Sequence, residues 1–274
     1  MYEFTYNASA LGLGGVIEKG GCTTIIPSLA SVALAPTGGE GSAVVENYCR
    51  DGISFSRAES RVYGYKTGPK LYTTISDIFI TNLSVFGQLK VALLSGTVTS
   101  TRHLDEPDSR FELRAMYRGV EADGEETIPA IDVDICSCPT YEEFVGKIRS
   151  NVPQFAAQFG VSETKLADAV GIGPDEAGLL RREINPPRDV IRGSIVNAVH
   201  RSNRSLTAQG NKLTIPGLGS VRFGELLVKK GRRRVNLLRF EFGPEESNEE
   251  SHDFGGSLTV ASGDGNGSPV WPNG

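Results

Sequence analysis

The stretch that decides the fold class is residues 111–118, which read Phe-Glu-Leu-Arg-Ala-Met-Tyr-Arg. The odd positions are apolar, and the even positions are mostly charged. Successive side chains of a β-strand point to opposite faces, so a period of two places one face in the core and the other in water. The stretch therefore predicts a half-buried β-strand.

Strand character extends in both directions from this stretch, through the first 135 residues. Asp123-Gly124 is a dipeptide typical of a type I′ hairpin turn, and residues 131–135 alternate Ile, Asp, Val, Asp and Ile. Extended segments rich in Thr, Ile, Val and Phe are predicted at residues 23–34, 53–65, 71–85 and 89–101.

The pattern changes at Pro139, where helical signals begin. Thr140 and Glu143 fit a capping box, and Phe144 and Ile148 follow at helical spacing. Helical segments are predicted up to Gly160, from Ser162 to Gly171, and from Pro174 to Leu180. Strands return at residues 190–199, 205–208, 212–215, 220–229 and 234–242, with hairpin tips at Gly210-Asn211 and Lys230-Gly231.

The simplest architecture is a mainly β fold, an antiparallel β-sandwich or barrel-like core with a small helical insertion. Residues 1–138 form the first part of the core, residues 139–187 the helical insertion, residues 188–262 the second part of the core, and residues 263–274 a flexible tail rich in Gly and Pro. The alternative is that the helical block forms a separate domain.

Composition sets limits on the class of protein. The 33 glycines and 14 prolines among 274 residues suit a turn-rich β protein. No run of about 18 apolar residues occurs, so we expect no membrane span. The N-terminal residues lack a positively charged leader, which predicts a cytoplasmic protein unless the chain is processed or exported by another route. The disulfide state of Cys22, Cys49, Cys136 and Cys138 stays open.

The net charge of −5 conceals an uneven distribution along the chain. Residues 181–240 contain 14 Lys and Arg but three acids, a balance of +11. The remaining residues contain 14 basic and 30 acidic groups, a balance of −16, and residues 241–274 contain seven acids and no Lys or Arg. Such asymmetry indicates an acidic partner, a nucleic acid or a second copy of the chain.

The strongest candidate for a binding site is the predicted hairpin around Gly231, where basic residues would project as a cationic knob. Such a knob can neutralise phosphates or bind an acidic protein surface. The alternative is a solvated hairpin end that discourages edge pairing. Nearby aromatics are sparse, which disfavours binding of single-stranded nucleic acid. The knob comprises Lys229, Lys230, Arg232, Arg233 and Arg234, with Arg222 and Arg239 extending it along the flanking strands.

Three short stretches carry a resemblance to a known group of proteins. They read Ala-Ser-Ala-Leu-Gly-Leu at 8–13, Ile-Pro-Gly-Leu-Gly-Ser-Val at 215–221 and Leu-Thr-Val-Ala-Ser-Gly at 258–263. In this order they resemble uncharacterised bacterial β-sandwich proteins labelled "choice-of-anchor". The resemblance implies β architecture and brings no catalytic residue. Those proteins usually carry an export signal, which is absent here.

Catalytic and metal-binding patterns are sparse. The sequence has no Gly-x-Ser-x-Gly elbow, and His103, His200 and His252 have no Ser or Cys beside them, although a Cys49–His200 pair in space stays open. Cys136 and Cys138 form a Cys-x-Cys pair, but the sequence has no second Cys-x-x-Cys or His-x₃-His, so a structural zinc site is not expected. Residues 264–268 begin like a calcium loop, but Pro269 occupies the place of the required Gly. We therefore expect no catalytic residue, metal or cofactor.

The functional hypothesis is a non-enzymatic structural or self-assembling protein that forms homo-oligomers through sheet-edge and charge-complementary contacts. The tail could add to the sheet edge of a neighbour. One alternative is a polyanion or nucleic-acid binding module that uses the basic segment 222–239, and another is a hydrolase with a loop-built site. The candidate subunit contacts are Leu258, Val260, Val270 and Trp271.

Overall fold

A computed structural model describes residues 4–174, 180–181, 190–202, 205–243 and 254–269. It confirms a mainly β fold with two large antiparallel sheets and a small helical insertion. The first eight strands are β1 (Phe4–Lys19), β2 (Cys22–Ala33), β3 (Gly39–Arg50), β4 (Ile53–Gly68), β5 (Leu71–Val85), β6 (Leu89–His103), β7 (Arg110–Ala122) and β8 (Glu125–Ile131).

The helices and the remaining strands follow. The helices are α1 (Val133–Cys136), α2 (Tyr141–Ser150), α3 (Val152–Phe159) and α4 (Glu163–Ala169). The later strands are β9 (Gly173–Pro174), β10 (Leu180–Arg181), β11 (Ile191–Ser194), β12 (Val196–Arg201), β13 (Thr207–Gln209), β14 (Lys212–Ile215), β15 (Gly219–Lys229), β16 (Arg232–Phe242) and β17 (Phe254–Pro269).

Both ends of the chain contribute to the same sheet. The first sheet has the order β13-β14-β15-β16-β17-β1-β2, with β11 also paired to β15. Strands β1 and β17 pair from Phe4↔Pro269 to Lys19↔Phe254. The second sheet has the order β12-β8-β7-β6-β5-β4-β3, and β9 and β10 form a separate two-stranded pair.

The hydrophobic core lies between the two sheets. Polar contacts also cross this interface: the Tyr117 hydroxyl of β7 donates to the Leu237 carbonyl of β16 at 2.9 Å. Since a buried hydroxyl needs a partner, this bond fixes the two layers relative to each other. The largest fully buried apolar side chains include Leu13, Ile80, Leu83, Leu94, Phe223 and Phe240.

A row of unusual backbone conformations crosses the second sheet. Asn47, Asn82 and Gly119, on β3, β5 and β7, have φ angles of 54°, 52° and 59°. The strand register places these three residues in one line across the sheet. Asn47 faces Ser56 of β4, because residues 46 and 48 pair with residues 57 and 55. In the same way, Asn82 lies between Ser56 and Ala92, and Gly119 lies opposite Ala92. Left-handed residues therefore occupy alternate strands of the row.

An equivalent row crosses the first sheet. Ala30, Ala261 and Gly224, on β2, β17 and β15, have φ angles of 47°, 52° and 61°. The register places Gly12 of β1 between the two alanines, and Leu237 of β16 between Ala261 and Gly224. We call the two rows together the crease.

The crease carries a conformational cost that the surrounding structure must offset. A left-handed conformation costs an L-residue roughly 1–2 kcal/mol, and four of these six positions are not glycine. Ala30 and Ala261 are 3% and 0% exposed, so their burial in the core helps to hold them there. At Gly224 a Cβ atom would lie 2.5 Å from Ile195, which requires glycine at this position.

Several sequence predictions are confirmed in the helical insertion. The Thr140 hydroxyl accepts a hydrogen bond from the Glu143 amide at 3.2 Å, Ser162 caps α4, and Gly160 ends α3 with a left-handed φ of 62°. The hairpin turn at Asp123-Gly124 is also confirmed, with φ positive at both residues.

Other predictions are wrong. The strand expected over residues 131–135 ends at Ile131, because the Asp132 carboxylate caps a helical turn by accepting from the Ile135 amide at 3.0 Å. Pro174 and Leu180, the two ends of the third predicted helix, belong to β9 and β10, which pair with each other, and residues 175–179 between them lie outside the described residues. Strand β3 was not predicted, and β17 continues to Pro269, seven residues into the segment expected to be a flexible tail.

The crease leads to a prediction about stability. Asn47→Val should lower the free energy of unfolding by about 1–2 kcal/mol, because a β-branched residue is strongly disfavoured in the left-handed conformation. Ser42→Val, at an exposed position of the same strand, should change it by less than about 0.5 kcal/mol. Denaturant titration at low protein concentration measures both values, and equal effects at the two positions would contradict the crease.

Candidate functional site

The predicted basic hairpin tip is present, but it is smaller than expected. Lys229 pairs with Arg232 across the turn, where Gly231 has a φ of 71°. Lys229, Lys230 and Arg232 are exposed. Arg232 forms an ion pair with Asp264 of β17, so part of its charge is already matched within the chain.

Arg233 does not belong to the exposed knob, which corrects the sequence prediction. Its side chain is fully buried, with the guanidinium 5.1 Å from the ring of Phe111 and 5.7 Å from that of Phe144. Its Nη2 donates to the Thr140 carbonyl at 2.8 Å, and burial lowers the pKa of Arg233 to about 10. Arg233 therefore holds the start of α2 against the sheet. Strand alternation before buried Val235 is the signal that could have indicated this position.

Arg222 and Arg239 are also separate from the hairpin tip. They face each other across β15 and β16, seven residues from Lys229, which is roughly 23 Å at the rise of a strand. Arg239 Nη1 lies 3.4 Å from the buried Glu225 carboxylate. Glu241 lies between the two arginines, 3.8 Å from Arg239 Nε and 4.0 Å from Arg222 Nε. These groups form a second, internally paired charge cluster.

Arg234, the remaining member of the predicted knob, lies on β16 beside β17. Its Nε donates to the Ser262 hydroxyl at 3.0 Å, and its side chain is half-buried. The seven predicted basic residues therefore divide among the tip, the interior and the face of the sheet.

Two open sheet edges lie next to each other on one side of the sandwich. In the part of the chain that the structure describes, strands β2 and β3 are the last strands of the first and second sheets, with no strand paired to their outer edges. Strand β2 contains no charged residue, and no residue of β3 is buried. Apolar side chains are exposed on both strands: Ile25 of β2 is 74% exposed, and Val44 of β3 is 45% exposed.

A groove of about 450 Å³ lies between these two strands. One wall is formed by Ile25, Pro27 and Leu29 of β2. The other wall is formed by residues 46–51, which include Tyr48 and the exposed Cys49. The open edges thus enclose a partly apolar surface.

The predicted subunit contacts on β17 lie elsewhere. Leu258 and Val260 are fully buried, and their strand is paired with β16 on one side and β1 on the other. They are core residues and present no free edge, which corrects the prediction. Val270 and Trp271 lie outside the described residues.

The structure brings no predicted catalytic pair together. Cys49 and His200 lie on opposite edge strands of the second sheet, six strand spacings apart, or roughly 29 Å. His103 Nδ1 lies 3.9 Å from Asp105 at the surface, and His252 lies outside the described residues. Within the described ranges, no group of three or more His, Cys, Asp and Glu side chains is placed to hold a metal ion. Residues 264–268 lie in β17, not in a loop.

The four cysteines are free thiols in two different environments. Cys22 and Cys49 are exposed, Cys136 is partly buried and Cys138 is buried. Burial, assisted by the nearby Asp132 carboxylate, raises the pKa of Cys136 to about 11. Burial also raises the pKa of Cys138. The exposed thiols lie on the open edge strands β2 and β3.

No helix of the described part of the chain is long and apolar enough to cross a membrane. A protein-family model described as "Domain of unknown function (DUF8256)" matches residues 4–229. No curated protein and no solved structure matches the chain. The family match covers most of the described fold and assigns no activity to it.

The thiol environments predict selective alkylation. At pH 8, iodoacetamide should modify Cys22 and Cys49 and should react with Cys136 at least about a hundredfold more slowly. The thiolate is the reactive form, and raising the pKa of Cys136 from 9 to about 11 lowers its thiolate fraction by about that factor. Cys138 should be protected by its burial. Mass spectrometry of peptides from native and urea-unfolded protein measures the four rates. Fast labelling of Cys136 in the native protein would contradict its placement.

Proposed function

We propose that this chain, which belongs to the DUF8256 family, is a structural protein that self-associates through the open edge formed by β2 and β3. The observation that carries the proposal is the pair of twelve-residue edge strands lying side by side with exposed apolar side chains. The most direct occupant is the same edge of a second copy.

The backbone of β3 is suited to pairing. An edge strand presents unpaired N–H and C=O groups, and proteins that remain monomeric usually block such edges with Lys, Pro or a bulge. Strand β3 contains neither Lys nor Pro, and its pairing with β4 shows no register shift. Strand β2, in contrast, contains Pro27 and a register shift. We therefore assign the main pairing strand as β3.

The proposed pairing of β3 with itself has a defined register. If β3 pairs antiparallel with β3 of a second copy around Val45, Val44 of each copy lies opposite Glu46 of the other. Both residues precede Asn47 and lie on the same exposed face of the strand. This arrangement satisfies the two-fold symmetry of an isologous dimer.

Apolar contacts supply the larger share of the association free energy in this proposal. Ile25 and Val44 are the most exposed large aliphatic side chains of the two edges, and a second copy would remove them from water. The long-range charge asymmetry has a smaller role, because Arg232, Arg239 and Arg222 already lie near Asp264, Glu225 and Glu241.

Polyanion binding is the second candidate function. It is favoured by Lys229 and Lys230, which are adjacent in sequence at the hairpin tip and are both exposed. Replacing Lys229, Lys230 and Arg232 with Ser should remove retention on immobilised heparin. These three residues are the exposed cations of the tip, and the affinity for a polyanion depends on such charges. Unchanged retention at each salt concentration would exclude the tip as the binding surface.

Self-association predicts a specific response to edge substitutions. Val44→Glu should raise the dissociation constant of the oligomer by about tenfold or more, because it places a carboxylate opposite Glu46 of the second copy and removes an apolar contact. Met116→Glu is the matched control, because Met116 is similarly exposed (49%) but lies on β7, inside the second sheet. Sedimentation velocity over a concentration series measures the effect.

The wild-type protein is the first check of self-association. If it stays monomeric up to about 100 μM, the proposal is overturned, because most specific associations are tighter than this. Equal weakening by Val44→Glu and Met116→Glu would also overturn it.

A further inference from the structure

We propose that a cavity beneath the α3–α4 turn binds a small organic acid that has an apolar body. The cavity has a volume of about 530 Å³, within the range of pockets that bind small molecules. It lies at the flank of β15, far from the open edge of β2 and β3 in the strand order.

The cavity forms where β15 changes its pairing partner. Residues 219–222 of β15 pair with β14, and residues 225–228 pair with β11. Between them, the Phe223 amide donates to the Asn211 carbonyl and the Ile195 amide donates to the Gly224 carbonyl, both at 2.9 Å. The left-handed residue of the crease, Gly224, therefore lies at this junction, and the turn between α3 and α4 covers it.

The cavity favours an anion. Its lining contains the cations Lys165, Arg192 and Arg222 and the acids Glu225 and Glu241. Glu225 is buried and accepts from Asn236 Nδ2 at 2.8 Å, with Arg239 beside it.

These acids lie within ion-pair distance of some of the lining cations and not of others. Glu241 lies between Arg239 and Arg222. Among the described residues, Lys165 and Arg192 have no acidic partner within ion-pair distance. A ligand carboxylate beside Arg192 and Arg222 would add the missing negative charge, and arginine binds carboxylates with two parallel hydrogen bonds.

Asn211 fixes one wall of the cavity. This residue lines the cavity and is 2% exposed. Its Nδ2 donates to the Phe223 carbonyl at 2.9 Å, and its backbone carbonyl accepts from the Phe223 amide. These two bonds hold the turn between β13 and β14 against β15.

The remaining walls determine the body of the ligand. Phe159, Val161, Leu166 and Val190 give the cavity apolar walls. A carboxylic acid with an aromatic or branched aliphatic body meets both requirements, a carboxylate and an apolar body.

Isothermal titration calorimetry with 3-phenyllactate tests this assignment on the full chain. We expect a dissociation constant below about 1 mM. Two analogues divide the contributions: 3-phenylpropanoate lacks the hydroxyl, and 2-phenylethanol lacks the carboxylate. The propanoate should bind about as well as 3-phenyllactate, whereas the alcohol should bind more weakly by about tenfold or more, since it loses the charge-assisted hydrogen bonds.

Variants place the binding in this cavity. Arg192→Gln and Arg222→Gln should each weaken 3-phenyllactate binding by about tenfold, and Arg118→Gln, at an exposed position on β7, should leave it unchanged. Because Arg192 is exposed, its variant should keep the melting temperature of the wild type. The proposal is overturned if 3-phenyllactate does not bind at 5 mM (well above the ~1 mM limit), or if the Arg192 and Arg118 variants bind it equally well.

Discussion

Left-handed backbone conformations on alternate strands are the constraint on which this structure depends. Asn47, Asn82 and Gly119 line up across one sheet, and Ala30, Ala261 and Gly224 line up across the other. The two rows lie close together, since Tyr117, two residues before Gly119, donates to the carbonyl of Leu237, which lies between Ala261 and Gly224. Because non-glycine residues resist this conformation, the packed core must hold it in place.

The crease also connects the two candidate surfaces. One end of each row reaches the open side of the sandwich, where Asn47 lies in the wall of the groove between β2 and β3. In the first sheet the other end is Gly224, where the pairing partner of β15 changes from β14 to β11. The α3–α4 turn covers a cavity beside this junction. The pairing irregularities of the sheets thus coincide with the two surfaces that we propose contact another molecule.

The sequence predicted the fold class, because alternation at residues 111–118 and capping at Thr140 are local signals that the tertiary structure preserves. It did not predict the crease, since Ala30 and Ala261 have no local preference for a left-handed conformation and adopt it only in the packed sheets. Strand β3 was missed because none of its residues is fully buried and its sequence does not alternate regularly between apolar and polar residues. The basic cluster was identified, but sequence spacing alone could not show that Arg233 faces the core or that Arg222 and Arg239 meet Glu225 and Glu241.

The most direct test of the crease is a measurement of φ at Ala30 and Ala261 by nuclear magnetic resonance, from the scalar couplings between the amide proton, the α proton and the neighbouring carbonyl carbons. We predict positive φ at both residues and negative φ at Ala8 and Ala10, which lie in β1 away from the crease. Negative φ at Ala30 and Ala261 would contradict the proposed basis of the fold.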